Sequence, residues 1–539
     1  MHVADEAPAT FAGLWPAAVT RAPDAPFLVF ADDGGTRTWS YAEFDRAVAA
    51  SRRLLTSRGV GRGDAVHLAL RNSPAFVALW LAAAGIGAWI VPADPAATER
   101  DLRRQAERTA PAIGFCGTAR AEAYRRALAS AGIPIVALAE TADDVRPGGP
   151  LDAPEDPAAR TAVPGPADRL AVMWTSGTTS EPKGVVLTQA NYAHVARAMA
   201  RAAGLTREHR WLVVLPLFHA NAQFYCFAPA ILTGASVALT AAFSASRWVR
   251  QARELGATHA SLFAAPIRMI LARTPPVAEP ARLRHVWFAQ NLREDQHREF
   301  GRLAGALPRQ LYGMTETLAV VTADDHDPPR HDLIGPPLPG RAVRLAPTGE
   351  DGREPVAGGR TGVITVCGTR GVDLFAGYLD APALTEAAFE KDGQGSWFRT
   401  GDVAREEDGG ALRFLGRTDD IIKIAGENVG LSETEAVLSE APGVLEVAVI
   451  ARPDPIRDHR AVAYVVPRDP AAPPDPDTLA EWAGRELAPA ARPREWRIVD
   501  GLPRTSVGKI RRFALQNESA VSASAAGQPL EEPVPEEEW

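Results

Sequence analysis

The sequence predicts an α/β protein built from a large multi-sheet α/β N-terminal domain and a small α+β C-terminal lid domain. Its 539 residues, 46% of them hydrophobic, exceed what one compact core accommodates. Short apolar runs alternate with helical periods over residues 1–140, which is typical of a mostly parallel sheet with helices on its faces. After Thr418 a further helix and further strands are predicted, enough for a separate domain of about 100 residues.

The elements of the large domain are predicted from their end signals. Ser40 and Glu43 form a capping box, so we expect a helix to begin there and to run to Gly59. Six prolines between Arg146 and Pro166 predict a loop, which we interpret as an insertion within one large unit. Further strands are predicted at 65–70, 88–91 and 169–174, and a further helix at 73–86.

Similar signals predict the elements of the small domain. Capping boxes of Ser432 with Glu435 and of Thr478 with Glu481 predict two helix starts. Apolar runs at 444–450 and 461–466 predict strands. We therefore expect three segments along the chain, with a large domain over 1–416, a small mobile domain over 417–517 and a disordered acidic tail over 518–539.

The charge of the chain is concentrated in that tail. The formal net charge is −8, and the tail contains six glutamates and no lysine or arginine. The remaining chain is nearly neutral, so the composition does not predict nucleic-acid binding.

The bulk composition also argues against membrane and disulfide-rich classes. The longest uncharged apolar run, 75–91, is shorter than the roughly 20 residues of a spanning helix and contains two glycines, so we interpret it as a buried helix and a strand. The N-terminus has no basic and apolar regions typical of a signal peptide. Cys116, Cys226 and Cys367 are scattered and odd in number, which predicts neither a disulfide framework nor a metal site. We expect a cytoplasmic protein, either a monomer or a homodimer.

Lysine is rare in this chain. Only four of the 58 basic residues are lysines, at positions 183, 391, 423 and 509. Arginine replaces lysine readily on a solvated surface, but not where a compact, mobile ammonium group must meet a phosphate. Each lysine therefore marks a position of interest, except Lys391, whose Glu-Lys-Asp-Gly context is typical of a turn.

Ten residues from Thr175 to Gly184 form a loop rich in glycine and hydroxyl side chains, after a predicted buried strand and before a helical pattern. Backbone N–H groups and hydroxyls in such a loop can surround an anion, and Lys183 adds a positive charge. Pro182 and Gly184 occupy positions where a Walker A loop needs glycine and Ser/Thr, which excludes a P-loop NTPase. The predicted phosphate-binding residues are Thr175, Ser176, Gly177, Thr178, Thr179 and Lys183.

Five further motifs follow in order along the chain: Leu215-Pro-Leu-Phe-His219, Tyr312-Gly-Met-Thr-Glu316, Thr400-Gly-Asp402, Gly416-Arg-Thr-Asp-Asp420 and Pro503-Arg-Thr-Ser-Val-Gly-Lys509. With the phosphate loop, they resemble the adenylate-forming (AMP-binding) superfamily of acyl-CoA synthetases, luciferases and nonribosomal adenylation domains. The resemblance extends from about residue 10 to 515. It implies that the protein uses ATP and Mg²⁺ to activate a carboxylic acid as an acyl adenylate, releases pyrophosphate and transfers the acyl group to the thiol of CoA.

The resemblance also implies roles for residues that would contact ATP. Tyr312 is expected to stack on adenine, Thr315 to contact the α-phosphate and Glu316 to hold Mg²⁺, which prefers oxygen ligands. Asp402 resembles the aspartate that accepts hydrogen bonds from both ribose hydroxyls, and Arg417 the arginine that contacts the ribose and phosphate.

Other roles concern the small domain and the acid. Lys509 resembles the lysine that bridges the attacking carboxylate and the α-phosphate in the transition state. Asp419 matches the hinge residue, and Lys423 and Gly426 match the loop that lines the CoA channel, although Lys423 could equally be a surface strand residue. His219 matches a histidine near the acyl carboxylate, although a lone histidine in an apolar run is more often a core residue.

The predicted acid pocket mixes aromatic and amide groups, contributed by Phe218, Asn221, Gln223, Gln290 and Asn291. Relatives that activate amino acids carry an aspartate where this chain has Phe-His-Ala-Asn, so an α-amino acid is not expected. A long alkyl chain would leave buried amides unpaired at roughly 1–3 kcal/mol each. We therefore expect a small polar or aromatic acid, and the pocket segments resemble those of carnitine/crotonobetaine-type CoA ligases.

Three interpretations of the overall function remain open from the sequence. The leading one is an acid:CoA ligase. Departures from the common pattern at 428–432, 457–460 and 361–363 leave room for a second, in which the acceptor is a carrier-protein thiol or an amine, or in which nitrite is activated for diazotisation. The third is a catalytically silent nucleotide-binding protein, which the retention of Lys509 and Glu316 disfavours.

Overall fold

The computed structural model describes residues 8–154, 163–175, 182–275, 279–318, 320–347, 360–392, 395–418, 421–424, 427–454, 458–504 and 510–516. The predicted mixed α/β architecture is confirmed. The helices are α1 (Phe11–Arg21), α2 (Tyr41–Ser57), α3 (Pro74–Ile86), α4 (Glu99–Thr109), α5 (Ala121–Ala127), α6 (Gln189–Ala202), α7 (Ala228–Thr233), α8 (Trp248–Glu254), α9 (Ala264–Arg273), α10 (Glu294–Ala304), α11 (Pro382–Ala387), α12 (Leu431–Leu438), α13 (Pro476–Glu486) and α14 (Arg512–Gln516).

The strands of the large part of the chain are β1 (Pro26–Asp32), β2 (Gly35–Ser40), β3 (Ala65–Ala69), β4 (Trp89–Pro92), β5 (Ile113–Gly117), β6 (Ile135–Leu138), β7 (Arg169–Thr175), β8 (Lys183–Thr188), β9 (Arg210–Val213), β10 (Ser236–Thr240), β11 (His259–Phe263), β12 (His285–Ala289), β13 (Arg309–Tyr312), β14 (Thr322–Ala323), β15 (Ala342–Ala346), β16 (Thr361–Gly368), β17 (Gly377–Tyr378), β18 (Phe389–Asp392), β19 (Gly395–Glu406) and β20 (Leu412–Arg417). The last strand ends one residue beyond the predicted domain boundary at 416/417. There follow β21 (Ile421–Ile424), β22 (Glu427–Gly430), β23 (Val444–Asp454), β24 (Asp458–Pro467) and β25 (Glu495–Ile498).

Two sheets of the large part are mostly parallel, as the alternation of strands and helices predicts. The first has the order β14-β13-β12-β11-β9-β10-β1-β2, with the antiparallel strands β14 and β2 at its edges. The second has the order β17-β8-β7-β4-β3-β5-β6. A third sheet, β15-β16-β19-β18 with β20 on β19, is antiparallel. The carboxyl ends of β9, β11, β12 and β13 meet at one edge of the first sheet, where ligands commonly bind in such folds.

Helix α3 lies at the centre of the large core. It is buried on nearly every side, and the ring of its Trp80 stacks on Phe11 of α1 at 5.0 Å between centroids. The apolar run at 75–91 is therefore a buried helix and strand, as predicted. The capping box of Ser40 and Glu43 is also confirmed, with Ser40 accepting from the Glu43 N–H and Glu43 accepting from the Ser40 N–H. No helix in the part of the chain that the structure describes is long and apolar enough to cross a membrane.

The C-terminal strands β23, β24 and β25 form a small sheet that packs against α12 and α13 in a core of its own. Both capping boxes predicted here are wrong. Helix α12 begins after Gly430, and the Glu435 carboxylate accepts from the Val449 N–H instead, at 2.7 Å. Helix α13 begins at Pro476 and is capped by Asp475, so Thr478 lies within its first turn. At α12, the tertiary contact of Glu435 with Val449 replaces the predicted cap. At α13, Asp475 followed by Pro476 is a stronger helix start signal than Thr478 with Glu481.

A buried histidine gives the large part a dependence on pH. His67, on β3, is fully buried between the Tyr124 hydroxyl, 2.8 Å from Nδ1, and Gln105 Oε1, 3.2 Å from Nε2. Burial lowers its pKa from 6.5 to about 4, because the imidazolium form loses its hydration. Since the folded-state pKa lies below the unfolded-state value, folding favours the neutral ring, and stability is lost as the pH falls from about 6.5 towards 4.

We predict that His67→Gln weakens this acid sensitivity. Between pH 7 and pH 5 the unfolding free energy of the variant should fall by roughly 1–2 kcal/mol less than that of the wild type, measured by urea denaturation at both values. Tyr124→Phe removes a hydrogen bond but keeps the imidazole, so it should retain the wild-type pH dependence. Equal losses in His67→Gln and wild type would contradict the prediction.

Candidate active site

The predicted site residues of the large part lie where the three sheets approach one another. Phe218 and His219 follow β9, Gln290 and Asn291 follow β12, and Tyr312 ends β13, so all five lie at the carboxyl edge of the first sheet. Thr175 and Lys183 lie on the second sheet, and Asp402 and Arg417 on the third. Sheet topology therefore brings together residues that are up to about 240 positions apart in sequence.

Tyr312, Asp402 and Arg417 form one connected group. The Tyr312 hydroxyl donates to Asp402 Oδ2 at 2.7 Å, and both residues are buried. Asp402 on β19 stands directly opposite Arg417 on β20, with 3.5 Å between Oδ1 and Nη1. Burial raises the pKa of Tyr312, and the neighbouring Asp402 charge raises it further, so the phenol stays a donor. An oriented carboxylate beside an aromatic ring suits a ribose and its base.

Glu316 occupies a buried turn beside this group. Its side chain accepts a hydrogen bond from the Tyr378 hydroxyl at 3.1 Å, and its carbonyl accepts from the Phe375 N–H at 3.0 Å. Burial raises the pKa of the Glu316 carboxyl, while the charges of Arg417 and Lys183 oppose that rise. Glu316, Arg417 and Lys183 therefore form a charged cluster around a buried carboxylate, where electrostatic interactions are stronger than in water.

Sequence reasoning missed Tyr378. Besides its bond to Glu316, its ring centroid lies 5.4 Å from Lys183 Nζ, so the residue contacts both a predicted metal ligand and a predicted phosphate ligand. Tyr378 ends the short strand β17, which pairs with β8, the strand that begins at Lys183. A lone Gly-Tyr pair is common at strand ends, and only this pairing shows its relevance.

The phosphate loop connects two strands of a hairpin. Thr175 at the end of β7 is paired in register with Lys183 at the start of β8. Ser176, Gly177, Thr178 and Thr179 lie outside the described residues. The helical pattern expected after the loop is α6, and it begins at Gln189 after the six residues of β8.

The predicted acid pocket contains aromatic and amide groups. The rings of Phe218 and His219 lie 4.4 Å apart, and Asn221 begins a π-helical turn, Asn221–Phe227, a feature frequent at functional sites. The Asn221 amide donates to the Ser261 hydroxyl at 2.9 Å. Gln290 has a φ of +75°, a strained conformation for a residue other than glycine, and its carbonyl accepts from the Gln310 amide at 3.0 Å.

Two of the predicted pocket residues, Gln223 and Asn291, lie in contrasting surroundings. The Gln223 side chain is fully buried, accepts from the Tyr192 hydroxyl and donates to the Leu217 carbonyl, both at 2.6 Å. The structure thus accounts for this amide without a substrate. Asn291 is exposed, and its backbone carbonyl accepts from Arg268 at 3.2 Å, which makes Arg268 a neighbour of the pocket that sequence reasoning missed.

Several predicted residues cannot be placed in this cluster. Lys509, Asp419 and Gly426 lie outside the described residues. Lys423 lies on β21 opposite Asn428, in a two-stranded sheet. Lys391 lies on β18 opposite Ser396, so it belongs to a hairpin strand and not to the turn itself.

Comparison with known proteins places these features in context. A family model described as AMP-binding enzyme matches residues 15–379, and one described as AMP-binding enzyme C-terminal domain matches residues 433–509. A sulfoacetate–CoA ligase of Cupriavidus necator is 32% identical, with 94% of this chain and 97% of that protein covered. A crotonobetaine/carnitine–CoA ligase of Proteus mirabilis is 30% identical, with 90% and 94% covered.

Solved structures show the same fold. ATP-bound MatB from Rhodopseudomonas palustris is 26% identical, with a TM-score of 0.82 over 94% of this chain and 99% of that chain. The anthranilate CoA ligase AuaEII in complex with anthranoyl-AMP is 20% identical, with a TM-score of 0.84 over 97% of this chain and 100% of that chain.

We predict that Tyr312→Phe weakens ATP binding roughly three- to tenfold, because it keeps the ring but removes the hydroxyl that orients Asp402. Isothermal titration calorimetry with ATP measures this change. Tyr41→Phe is the matched control, since the Tyr41 hydroxyl is also buried and bonds to the backbone carbonyls of Ala230 and Ala235, which are not predicted site residues. Unchanged ATP affinity in Tyr312→Phe would remove the role assigned to the Tyr312–Asp402 bond.

Proposed function

Because the chain belongs to the AMP-binding enzyme family, we propose that it converts a small polar or aromatic carboxylic acid first to an acyl adenylate and then to a CoA thioester. It is an acid–thiol ligase that uses ATP and CoA. The observation that carries the proposal is the connected group of Tyr312, Asp402 and Arg417, in which Tyr312 and Asp402 are buried and the charge of Arg417 acts on Glu316.

In the first half-reaction, a carboxylate oxygen of the acid bonds to the α-phosphorus of ATP, and the bond from that phosphorus to the pyrophosphate oxygen breaks. We assign adenine stacking to Tyr312, ribose binding to Asp402 and Arg417, and α-phosphate contact to Thr315. Lys183 and the loop residues Thr175, Ser176, Gly177, Thr178 and Thr179 would hold the outer phosphates. His219 would lie beside the acid carboxylate.

Glu316 fits a magnesium site. Its carboxylate is buried, is oriented by Tyr378 and has its charge favoured by Arg417 and Lys183. Oxygen donors of this kind suit Mg²⁺, which usually binds through one or two carboxylates together with substrate phosphates. When bound, the ion would neutralise charge on the phosphates of ATP.

The second half-reaction requires different groups near the acyl carbonyl. We propose that the small domain turns about Asp419, withdraws Lys509 and presents Lys423 and Gly426 to CoA, whose thiolate attacks the carbonyl and expels AMP. The boundary between the domains would then lie close to the end of β20. Such a step also keeps water from the reactive adenylate.

The pocket groups favour a short polar acid. The Asn221 amide donates to the Ser261 hydroxyl, and Gln290 has a strained conformation. Asn221 and Ser261 have more donor and acceptor positions than this one bond uses, and a polar acid can pair with them whereas an alkyl chain cannot. The relatives named for sulfoacetate and for crotonobetaine and carnitine act on short polar acids, which supports the same class here.

A mass-spectrometric screen tests the function directly. The protein is incubated with a library of short polar, aromatic and long-chain acids, ATP and Mg²⁺, with and without CoA. We expect acyl-CoA and AMP with CoA, and acyl adenylate and pyrophosphate without it. Adenylates that accumulate without any thioester in the presence of CoA would point to another acceptor, and no pyrophosphate from any acid would indicate a silent nucleotide-binding protein.

Lys509→Ala should separate the two half-reactions. We expect acid-dependent pyrophosphate exchange to slow about 100-fold or more, because a charge that stabilises the transition state is lost. Thioester formation from a supplied adenylate should change little. Lys391→Ala, which removes a lysine without an assigned role, is the control for both assays. Equal losses in the two half-reactions would contradict the role proposed for Lys509.

Glu316→Gln should raise the Mg²⁺ concentration for half-maximal exchange about tenfold or more, because an amide is a poorer ligand than a carboxylate. Tyr378→Phe should raise it by a smaller factor, since the carboxylate remains but loses its orienting donor. Glu140→Gln is the matched control, because Glu140 is another buried carboxylate, paired with Arg71. A Mg²⁺ requirement that is unchanged in Glu316→Gln would exclude Glu316 as the ligand.

A further inference from the structure

One carboxylate lies between an arginine of the large part and an arginine of the C-terminal part. Glu446 on β23 accepts a hydrogen bond from Arg504, and its Oε1 lies 3.5 Å from Nε of Arg268 on α9. All three side chains are largely withdrawn from solvent, with exposures between 14% and 24%. We call this arrangement the Glu446 bridge. Arg268 also donates to the Asn291 carbonyl at 3.2 Å, so the bridge ends at the acid pocket.

Glu446 is surrounded by positive charges. Burial lowers the pKa of Arg268, the Glu446 charge raises it, and the nearby Arg504 and Arg293 lower it. Without the carboxylate, Arg268 and Arg504 would face each other as like charges across the contact between the two parts. Glu446 therefore converts a repulsive contact into an attractive one.

A second contact lies at the C-terminal end of the same pocket loop. Arg293, just before α10, donates to the carbonyl of Ser439, the residue that follows α12, at 3.2 Å. Arg268 bonds to Asn291 and Arg293 follows Leu292, so both arginines contact or adjoin residues 290–292, the loop that contains the strained Gln290. The C-terminal part is thus linked to this loop at two points, through Arg268 to Asn291 and through Arg293, the residue that follows the loop.

We propose that Glu446 is a positioning residue for adenylation, which holds the small domain against the acid pocket through Arg268 and is released when the domain turns for thioester formation. This inference rests on the proposed two-step reaction. By linkage, an acid that stabilises the Gln290–Leu292 loop also stabilises this domain position, and the domain position favours acid binding to the same extent.

The two half-reactions measured separately test the proposal. Glu446→Gln should reduce kcat/KM for the acid in pyrophosphate exchange roughly five- to tenfold, and it should leave thioester formation from a supplied adenylate within about twofold of wild type. Glu495→Gln is the matched control, because Glu495 pairs with Arg460 and Arg497 inside the same small sheet. A general loss of stability would slow both steps in Glu446→Gln, and that result would overturn the proposal.

A double variant tests the sign of the charge effect. If Arg268 and Arg504 repel each other once Glu446 is neutral, then adding Arg268→Gln to Glu446→Gln should recover part of the lost exchange activity. Arg268→Gln alone should reduce exchange, since it removes the cross-domain contact. A double variant with the product of the two single losses would show that the side chains act independently, and it would exclude the bridge.

A distance measurement keeps the test independent of catalysis. Spin labels at Arg298→Cys on α10 and Arg485→Cys on α13, both exposed, report the domain separation in a Cys367→Ser background, where the remaining cysteines are buried. Glu446→Gln should broaden and lengthen the distance distribution, whereas Glu495→Gln should not. An unchanged distance distribution in Glu446→Gln would overturn the positioning role, whether or not the protein activates an acid. A wild type that activates no acid in the library would overturn the proposed function alone.

Discussion

The hydrogen bond from Tyr312 to Asp402 joins two sheets that share no strand, and the arrangement of the candidate site depends on it. Tyr312 ends a parallel strand of the first sheet, whereas Asp402 lies within an antiparallel strand of the third. Because Asp402 is also paired across the third sheet with Arg417, the same contact brings Arg417 close enough for its charge to act on Glu316. Three motifs far apart in sequence thus form one surface, to which we assign nucleotide binding.

This surface contains more charge than a protein interior ordinarily accommodates. Glu316 is buried with a raised pKa, and Lys183 and Arg417 act on it from two other sheets. Burying charges is costly unless they are paired or bind a ligand. A triphosphate with its metal ion supplies both signs of charge, which is the physical reason that the cluster is better suited to binding Mg·ATP than to supporting the fold.

The contact between the large and C-terminal parts also depends on paired charges. Glu446 lies between Arg268 and Arg504, so the contact between these two arginines depends on one carboxylate. A polar contact suits the domain rotation proposed above, whereas a large apolar interface would hold the domain in one position. The core around α12 and α13 is separate from the large core, as such a rotation requires.

Much of the fold and of the candidate site could be predicted from sequence because the relevant signals are local. The α/β class, the capping box at Ser40 and the buried helix α3 follow from periodicity and end signals within a few residues. The motifs predict Tyr312, Asp402, Arg417 and Lys183 as site residues, and the scarcity of lysine singles out Lys183 among them. Tertiary structure alone decided which partner each side chain takes. Glu435 bonds to Val449 instead of capping its helix, Gln223 is engaged by Tyr192, and Tyr378 reaches Glu316 across 62 positions, because a hydrogen bond depends on distance in space and not on spacing in sequence.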